Sequence, residues 1–253
     1  MKLGIFIPAR MGSQRLPDKH LIKASGKMFI EWQLDRFYHE FEKEIRKGEA
    51  RIFIVTSVAP ENHAFEDRLG KNYPWLTVFY GSDGNIPLRQ WQCAEANGIE
   101  TIVSIDGDDV LCSTSAARKV AVALAEGSEM VKTIGLPLGM NSMGYSTALL
   151  GRCLREYAQK EKLETGWGKI FEISRTKDLM FGNHHLDSRL RFTLDYEDDK
   201  KFFQKVIEHF GDQIIGLPDG ELIDLVIDKK VYLINHSLNS AFWENFYRQR
   251  NEE

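Results

Sequence analysis

The sequence has few of the features that mark secreted, zinc-containing or membrane-spanning proteins. Only three of its 253 residues are cysteines, and Cys93, Cys112 and Cys153 form no CxxC or Cys/His pattern. An odd number of cysteines without metal-ligand spacing favours reduced thiols and hence a cytoplasmic protein. The apolar run at residues 3–8 is far shorter than the roughly 20 residues of a membrane span, and no signal-peptide cleavage pattern follows it. We therefore expect no membrane insertion.

An excess of positive charge is also absent. The chain has 33 Lys and Arg against 37 Asp and Glu, a formal net charge of -4, and it contains no Lys/Arg-rich run. This balance argues against nucleic acid as a partner. The hydrophobic fraction of 43% is ordinary for a globular protein. A chain of this length can bury about three quarters of the surface that it exposes when unfolded, which is enough for one large domain without disulfide or metal support.

What is present is a regular alternation of predicted strands and helices. Apolar runs predict buried strands at residues 3–8, 51–56, 76–80, 101–105 and 129–134. Apolar residues at helical spacing predict helices at residues 30–45, 62–71, 87–97 and 113–126. Strands that alternate with helices in this way are typical of βαβ crossovers. We therefore predict an α/β fold with a doubly wound, mostly parallel, Rossmann-like sheet that has helices on both faces.

The second half of the chain is less regular. Glycine and proline punctuate the region beyond the fifth predicted strand, which we interpret as a loop or lid before a helix at residues 152–162. Alternating apolar and polar residues predict a strand at 189–195, and a helix follows at 197–210. No linker or internal repeat divides the chain. We therefore predict a single domain over residues 1–253, with a possible insertion around residues 136–188.

The strongest local signal is a basic loop directly after the first predicted strand. Residues 1–27 contain six cationic side chains and one acidic side chain, although the whole chain is acidic. Gly12 and Ser13 would let the backbone approach a phosphate group, and Arg15 and Lys19 could neutralise a polyphosphate. The loop matches neither the GxGxxG dinucleotide motif nor the GxxxxGK[ST] P-loop. The alternative interpretation is a solvent-exposed basic loop with a turn.

Acidic residues follow two other predicted strands. Asp106 and Asp108 come after the strand at 101–105, and Asp195 ends the strand at 189–195. Carboxylates at the carboxyl end of a parallel sheet suit Mg²⁺, which prefers oxygen ligands and shares them with substrate phosphates. An Asp-Gly turn without a metal is the alternative at Asp106. No Ser/His/Asp or Cys/His set stands out. The basic loop and the acids together predict metal-assisted phosphoryl or nucleotidyl transfer.

Two segments of the chain resemble a known enzyme family. Residues 7–19 read IPARMGSQRLPDK, which is similar to the IPAR-x-GS-x-RLP-x-K signature of the bacterial cytidylyltransferases that activate sugar acids, the CMP-KDO and CMP-sialic acid synthetases. Residues 191–199 read RFTLDYEDD, which is similar to the R-x-T-L-D-x-x-E-D pattern of the spore-coat polysaccharide biosynthesis cytidylyltransferases. The resemblance runs from residue 2 to about residue 210, and the spore-coat branch is the closest match.

The resemblance implies a GT-A-like nucleotidyltransferase that uses CTP and Mg²⁺ and forms a homodimer. It implies that Arg15 and Lys19 are catalytic and contact the phosphates. It also implies that Asp108 and Asp195 are the metal ligands, with Asp106 as a secondary candidate. The nucleotide-binding residues that it implies are Pro8, Ala9, Arg10, Gly12, Ser13, Arg15, Lys19 and Arg89.

The implied reaction is Mg-dependent transfer of CMP from CTP to a KDO-like or nonulosonate-like sugar acid, with release of pyrophosphate, for surface polysaccharide or glycoconjugate synthesis. The chain departs from the family on the acceptor side. Residues 140–150 read MNSMGYSTALL where relatives have an acidic D-x-E-x-F segment, and residues 164–168 read ETGWG where relatives have an E-H-x-T-P-like stretch.

The acceptor, a sugar acid or a sugar phosphate, therefore stays open. We expect the possible insertion around residues 136–188 to bind it or to form the dimer contact. Two alternatives to the implied reaction remain. One is a sugar-1-phosphate nucleotidylyltransferase that uses another nucleotide, and the other is a catalytically silent nucleotide-binding homologue.

Overall fold

The computed structural model describes residues 2–157, 162–172 and 174–252, and a seven-stranded sheet lies at its centre. The strands are β1 (Leu3–Pro8), β4 (Ala50–Ser57), β5 (Leu76–Gly81), β6 (Thr101–Ser104), β7 (Met130–Ile134), β8 (Met143–Ser146) and β9 (Lys177–Met180). Their order is β5-β4-β1-β6-β8-β7-β9, and of these seven strands β8 alone is antiparallel to its neighbours. A small hairpin, β2 (Lys23–Ala24) and β3 (Lys27–Met28), precedes the first helix.

Helices cover both faces of the sheet. They are α1 (Phe29–Arg46), α2 (Ala64–Leu69), α3 (Ile86–Asn97), α4 (Thr114–Ala125), α5 (Thr147–Glu156), α6 (Glu197–Phe210), α7 (Asp219–Asp228) and α8 (Leu238–Glu252). Successive side chains of a strand point to opposite faces. On β1, Ile5 therefore packs in a cluster with Leu34 of α1, whereas Phe6 packs in a cluster with Leu150 of α5. This is the doubly wound, mostly parallel sheet that the sequence predicts.

The alternation predicted for the first half of the chain is confirmed to within a few residues. The predicted helix ends correspond to recognisable caps: Ser113 Oγ accepts the Ala116 N–H at 2.9 Å at the start of α4. The helix predicted at 62–71 is divided, because a 3₁₀ turn (Pro60–His63) precedes the shorter α2. All three cysteines are buried and unpaired, as expected for reduced thiols.

The strand predicted at residues 189–195 is wrong. The segment passes the sheet without joining it, and among the described residues its one strand-type contact is an isolated bridge between Arg191 and Leu138. Its backbone bonds to loops instead: the Leu194 N–H donates to the Asp108 carbonyl at 2.9 Å. The alternating pattern is misleading because the polar side chains of this segment are buried along with the apolar ones.

The region interpreted as a loop or lid contains one strand, β8, and a second strand that the sequence did not predict, β9, follows the helix after it. β8 lies between β6 and β7, and β9 adds an edge strand beside β7. α5 begins at Thr147, five residues before the predicted helix start, and ends at Glu156; residues 158–161 of that prediction lie outside the described residues. Each of the two strands has four residues. Their sequences, MGYS and KDLM, are neither apolar runs nor clear alternations, so the hydrophobic pattern does not predict them.

The chain after the sheet forms a helical layer. α6 matches the helix predicted at 197–210, and α7 and α8 follow it. Phe203 of α6 and Val226 of α7 share an apolar core with Phe29 and Trp32 at the start of α1. Within the described residues, no helix is both long enough and apolar enough to cross a membrane.

Gly144→Ala should destabilise the fold because β8 has no space for a side chain at this position. An added Cβ would lie 2.4 Å from Cγ1 of Val120 and 2.9 Å from the carbonyl oxygen of Ile102. We expect urea denaturation to show a loss of about 1–3 kcal/mol in the free energy of unfolding. Gly220→Ala is the matched control: an added Cβ there meets nothing within 4 Å, so this free energy should rise or change by less than about 0.5 kcal/mol. Equal stability of Gly144→Ala and the unaltered chain would contradict this packing.

Candidate active site

Two loops meet at the carboxyl ends of the adjacent strands β1 and β6. From β1 the chain crosses to β4, toward one edge of the sheet, and from β6 it crosses to β7, toward the other edge. Such a topological switch point is where α/β sheets bind ligands. The Gly107 N–H donates to the Pro8 carbonyl at 3.0 Å, and a Cβ at position 107 would lie only 2.8 Å from Cβ of Ala9. Glycine at 107 therefore lets the loop after β6 lie directly against the basic loop after β1. A cleft of about 870 Å³ opens over this contact.

The backbone of the basic loop is ordered by its own hydrogen bonds. The Met11 N–H donates to Oδ1 of the buried Asn62 at 2.8 Å, and the Ser13 N–H donates to the Met11 carbonyl at 2.8 Å. Ser13 Oγ accepts the Leu16 N–H at 3.3 Å. The Ser13 N–H is thus committed within the loop, and side chains rather than this amide face the cleft.

All of the residues predicted for the site line this one cleft. They are Pro8, Ala9, Arg10, Gly12, Ser13, Arg15, Lys19, Arg89, Asp106, Asp108 and Asp195. They come from the loop after β1, from α3, from the loop after β6 and from the extended segment before α6. The fold therefore brings together residues that are far apart in the chain.

One lysine joins the two predicted metal ligands. Lys19 Nζ lies 2.6 Å from Oδ2 of Asp108 and 3.4 Å from Oδ1 of Asp195. Arg15 Nη2 donates to the same oxygen of Asp195 at 2.7 Å. Lys19 is only 6% exposed, so these carboxylates rather than water must balance its charge.

Burial and neighbouring charges shift the pKa values of three neighbouring carboxyl groups, Asp106, Asp108 and Asp109, in different directions. Burial disfavours the charged form of Asp108, but Lys19 and His20 outweigh it, and the pKa of Asp108 is lowered. The Asp106 side chain opens into the cleft, yet desolvation by the surrounding protein, followed by the charge of Asp108, raises its pKa to about 7. Burial and then the charge of Asp106 raise the pKa of Asp109 well above its usual value. Of the three, Asp108 is the group that is held ionised.

The residues present fit a magnesium ion. Asp108 and Asp195 both contact the Lys19 ammonium, so the nearest oxygens of the two carboxylates lie within about 6 Å of each other. Within the described residues no three His, Cys, Asp or Glu side chains form a metal-binding group. Mg²⁺ commonly takes only one or two protein carboxylates and completes its coordination with water and substrate phosphates. The donor set therefore suits a magnesium ion that binds together with a polyphosphate.

A buried network holds Asp195 on the side away from the cleft. Arg191 Nη2 lies 3.2 Å from Oδ2 of Asp195, and Arg191 Nε donates to Oδ1 of Asp199 at 2.8 Å. Asp199 Oδ2 accepts the backbone N–H groups of Asp195 and Tyr196, each at 3.0 Å. Asn235 Nδ2 donates to Asp199 Oδ1 at 2.9 Å. Asp195, Asp199 and Arg191 are each at most 2% exposed. The network fixes Oδ2 of Asp195, and Oδ1 of Asp195 faces Lys19.

The sequence did not identify this network. Asp199 stands three residues after Tyr196, the N-cap residue of α6. This position is typical of a helix capping box, so an acid there has an ordinary local explanation. Arg191 lies within a segment whose pattern predicts a surface strand. Its guanidinium is instead covered by the ring of Phe242 from α8, with 4.6 Å between the guanidinium carbon and the ring centroid. The R-x-T-L-D-x-x-E-D pattern was the one signal that could have led to both residues.

Glu164 is a further cleft residue that the sequence did not identify. Its Oε2 lies 2.8 Å from Nη1 of Arg10, and its Oε1 lies 3.9 Å from Nη2 of Arg89. Arg89 Nε also donates to the Ser82 carbonyl at 2.8 Å. Leu163, the residue before Glu164, forms an isolated β-bridge with Asn85. This bridge places the Glu164 carboxylate near the start of α3. Two of the predicted nucleotide-binding arginines therefore share one acidic partner.

Sequence comparisons relate this chain to cytidylyltransferases. Residues 5–62 match the family model described as cytidylyltransferase. The whole chain is 25% identical to an uncharacterized protein of Methanocaldococcus jannaschii, and the match covers 100% of both proteins. Over 130 residues it is 32% identical to 3-deoxy-manno-octulosonate cytidylyltransferase of Haemophilus influenzae, which covers 50% of this chain and 46% of that enzyme. The chain thus matches about half the length of that relative.

Solved structures share the fold over most of the chain. A cytidylyltransferase from Leptospira borgpetersenii has a TM-score of 0.75 at 21% identity, covering 93% of this chain and 98% of its own. CMP:2-keto-3-deoxy-manno-octonic acid synthetase, in a complex with CTP, has a TM-score of 0.58 at 13% identity, covering 83% and 99%. The predicted nucleotidyltransferase fold is confirmed. The spore-coat branch stays a prediction.

Asp199→Ala should strongly destabilise the protein because it removes the partner of a fully buried arginine. We expect a loss of about 3–5 kcal/mol in the free energy of unfolding, measured by urea denaturation. The neighbouring Asp198→Ala is the matched control: its side chain is 43% exposed and pairs with Lys201 at the surface, so less than about 1 kcal/mol should be lost. If the two variants were equally stable, Asp199 would not stabilise the network.

Proposed function

We propose, on the premise that this chain carries a cytidylyltransferase domain and is a nucleotidyltransferase, that it transfers CMP from CTP to a sugar acid and releases pyrophosphate. The observation that carries the proposal is the contact of Lys19 with both Asp108 and Asp195 at the switch point of the sheet. This contact places a basic loop suited to phosphates beside two carboxylates suited to a metal. A synthetase of the same fold binds CTP, which supports CTP as the nucleotide.

The cations of the cleft differ in how readily they can reach a triphosphate. The side chain of Arg10 is 50% exposed and that of Arg15 is 37% exposed, so both can turn toward a phosphate in the cleft. A guanidinium can donate two parallel hydrogen bonds to phosphate oxygens. Lys19 is buried between two carboxylates. We therefore assign Arg10 and Arg15 to direct phosphate contact, and Lys19 to holding the two acids together beside the phosphates.

The proposed reaction is an in-line displacement at the α-phosphorus of CTP. A hydroxyl oxygen of the acceptor forms a bond to phosphorus, and the bond from phosphorus to the bridging oxygen breaks. Pyrophosphate leaves with that electron pair, and the hydroxyl proton passes to water or to a carboxylate of the cleft. Arg15, 2.7 Å from Asp195, lies where its charge can stabilise the leaving phosphates. A Mg²⁺ ion held by Asp108 and Asp195 would neutralise negative charge on the triphosphate.

The acceptor is proposed to contact the segment around residues 136–188. This segment contributes Met143, Glu164 and Trp167 to the wall of the cleft. Its strand β8 lies inside the central sheet, which favours one domain with a built-in acceptor side. The name of the Haemophilus influenzae relative, 3-deoxy-manno-octulosonate cytidylyltransferase, supports a sugar acid as the acceptor class.

A homodimer is part of the same proposal. Trp243 and Tyr247 on α8 are 41% and 54% exposed, respectively. Large aromatic side chains are enriched at protein interfaces, so this face of α8 is where we place the contact. Sedimentation of the unaltered chain and of Trp243→Ser, compared at the same concentration, distinguishes a dimer from a monomer.

CTP with Mg²⁺ should raise the melting temperature more than ATP, GTP or UTP does. The phosphate contacts are common to all four nucleotides, so a difference between them reports recognition of the base. A ligand at 100 times its Kd stabilises by about 2.7 kcal/mol, which corresponds to about 5–10 °C for a chain of this size. The measurement is differential scanning fluorimetry with matched nucleotide concentrations, with and without Mg²⁺. Equal shifts for all four would contradict a cytidine preference.

Asp108→Asn should abolish pyrophosphate release while the protein stays folded. Asparagine keeps the shape of the side chain but loses the charge that faces Lys19 and a bound metal, so we expect kcat to fall by more than about 100-fold. The assay follows pyrophosphate over a panel of sugar acids and sugar phosphates with CTP. Asp224→Asn on the exposed face of α7 is the matched control and should keep full activity. Normal turnover by Asp108→Asn would remove Asp108 from the site, and turnover with sugar phosphates alone would favour the other acceptor class.

A further inference from the structure

A small side cavity opens from the acceptor side of the cleft. It has a volume of about 120 Å³ and shares Asp106, Asp109, Lys132, Met143 and Trp167 with the main cleft. Polar residues at the end of β7 and just before β8 close its far side. The cavity is therefore a branch of the cleft, and the nucleotide-binding residues proposed above do not line it.

One hydroxyl group on the far side of this cavity has no partner. Ser142 is 6% exposed, and its Oγ finds no hydrogen-bond partner among the described residues. The backbone of Ser142 is held firmly, because its N–H donates to Thr133 Oγ1 at 2.8 Å and its carbonyl accepts the Thr133 N–H at 3.0 Å. A buried hydroxyl without a partner is unfavourable in a folded protein. Ser142 borders the cavity, and its Oγ, which lacks a partner among the described residues, is available to a ligand there.

The charges around the cavity indicate the chemical class of the ligand. Lys132 is half-buried on β7 and borders both the cleft and the side cavity. Asp106 and Asp109 line the same cavity, so a ligand there would meet two carboxyl groups and one ammonium. A hydroxyl group can donate to the carboxyl groups and accept from Lys132 and Ser142. The lining therefore offers several hydrogen-bond partners to a hydroxylated group.

We propose that this side cavity binds the hydroxylated end of the acceptor, a diol such as CHOH-CH₂OH. The inference rests on the proposed function and deepens it by stating which part of the acceptor this chain recognises. The cavity, of about 120 Å³, has room for a group of this kind. Asp106 lies in the wall common to both cavities, so another hydroxyl of the same acceptor can lie beside Asp108 in the main cleft.

The test is the KM for the acceptor in the Ser142→Ala enzyme. Pyrophosphate release is measured with CTP and the sugar acid that the unaltered enzyme turns over best, and with the analogue of that acid shortened by its terminal CHOH unit. Loss of one hydrogen bond should raise the KM for the full-length acid about 5- to 10-fold, with kcat within about twofold and the KM for CTP unchanged. The shortened acid should respond much less to the substitution.

Stability separates this role from a structural one. Because Ser142 Oγ bonds to no described residue, Ser142→Ala should not lower the melting temperature. Ser146→Ala at the other end of β8 is the matched control. Its Oγ accepts the Leu149 N–H at 3.1 Å and caps α5, so this variant should have a lower melting temperature and keep the acceptor KM. Should Ser142→Ala be destabilised, Lys132→Met carries the test and should raise the same KM.

The outcomes distinguish the inference from the proposed function. An unchanged acceptor KM in Ser142→Ala and Lys132→Met, with normal pyrophosphate release, would overturn the side cavity as an acceptor site and leave the proposed function standing. If the unaltered enzyme released no pyrophosphate with any sugar acid, the proposed function would fail, and this inference would fail with it.

Discussion

The ammonium group of Lys19, placed between Asp108 and Asp195, is the contact on which the site depends. It connects the loop after β1, the loop after β6 and the extended segment before α6. Two further carboxyl groups, Asp106 and Asp109, lie beside Asp108, and burial, followed by the charges of the neighbouring carboxyl groups, raises the pKa of both. A buried cation at this point is what allows the acids to lie close together, because its charge compensates theirs where water cannot. The protein thus holds carboxylates suited to a metal in place by an internal cation.

That arrangement requires support from a part of the chain without a recognisable motif. Asp195 can face Lys19 with one oxygen because Arg191 and Asp199 hold its other oxygen and its backbone. A fully buried arginine is tolerated only when its charge is paired and its surroundings are packed. Asn235 and Phe242 provide this packing and hydrogen bonding from the C-terminal helical region. Residues 191–195 run outside the sheet, where Arg191 and Asp195 are buried among these partners rather than placed on a solvent-exposed strand face.

The two sides of the cleft differ in how their residues are placed. On the nucleotide side, the groups lie in loops that directly follow β1 and β6, so neighbouring positions in the sequence supply most of the chemistry. On the acceptor side, β8 enters the centre of the sheet, and the walls come from residues before and after it. Lys132 and Ser142 meet there because β7 and β8 pair in opposite directions. This side is also where the sequence departs from the family signatures. The departure and the polar side cavity therefore lie in the same part of the molecule.

The sequence by itself determined the alternation of strands and helices in the first half, the basic loop after β1 and the acids after β6. These features are local, since a hydrophobic period or a charge beside a strand end depends only on nearby residues. Tertiary structure decided the central position of β8, the path of residues 189–195, and the surroundings of Glu164, Asp199 and Ser142. Each of these depends on partners far away in the chain. The physical reason is that strand pairing and the burial of polar groups are long-range: whether a charge is solvated, paired or left facing a cavity is decided by what the fold places opposite it.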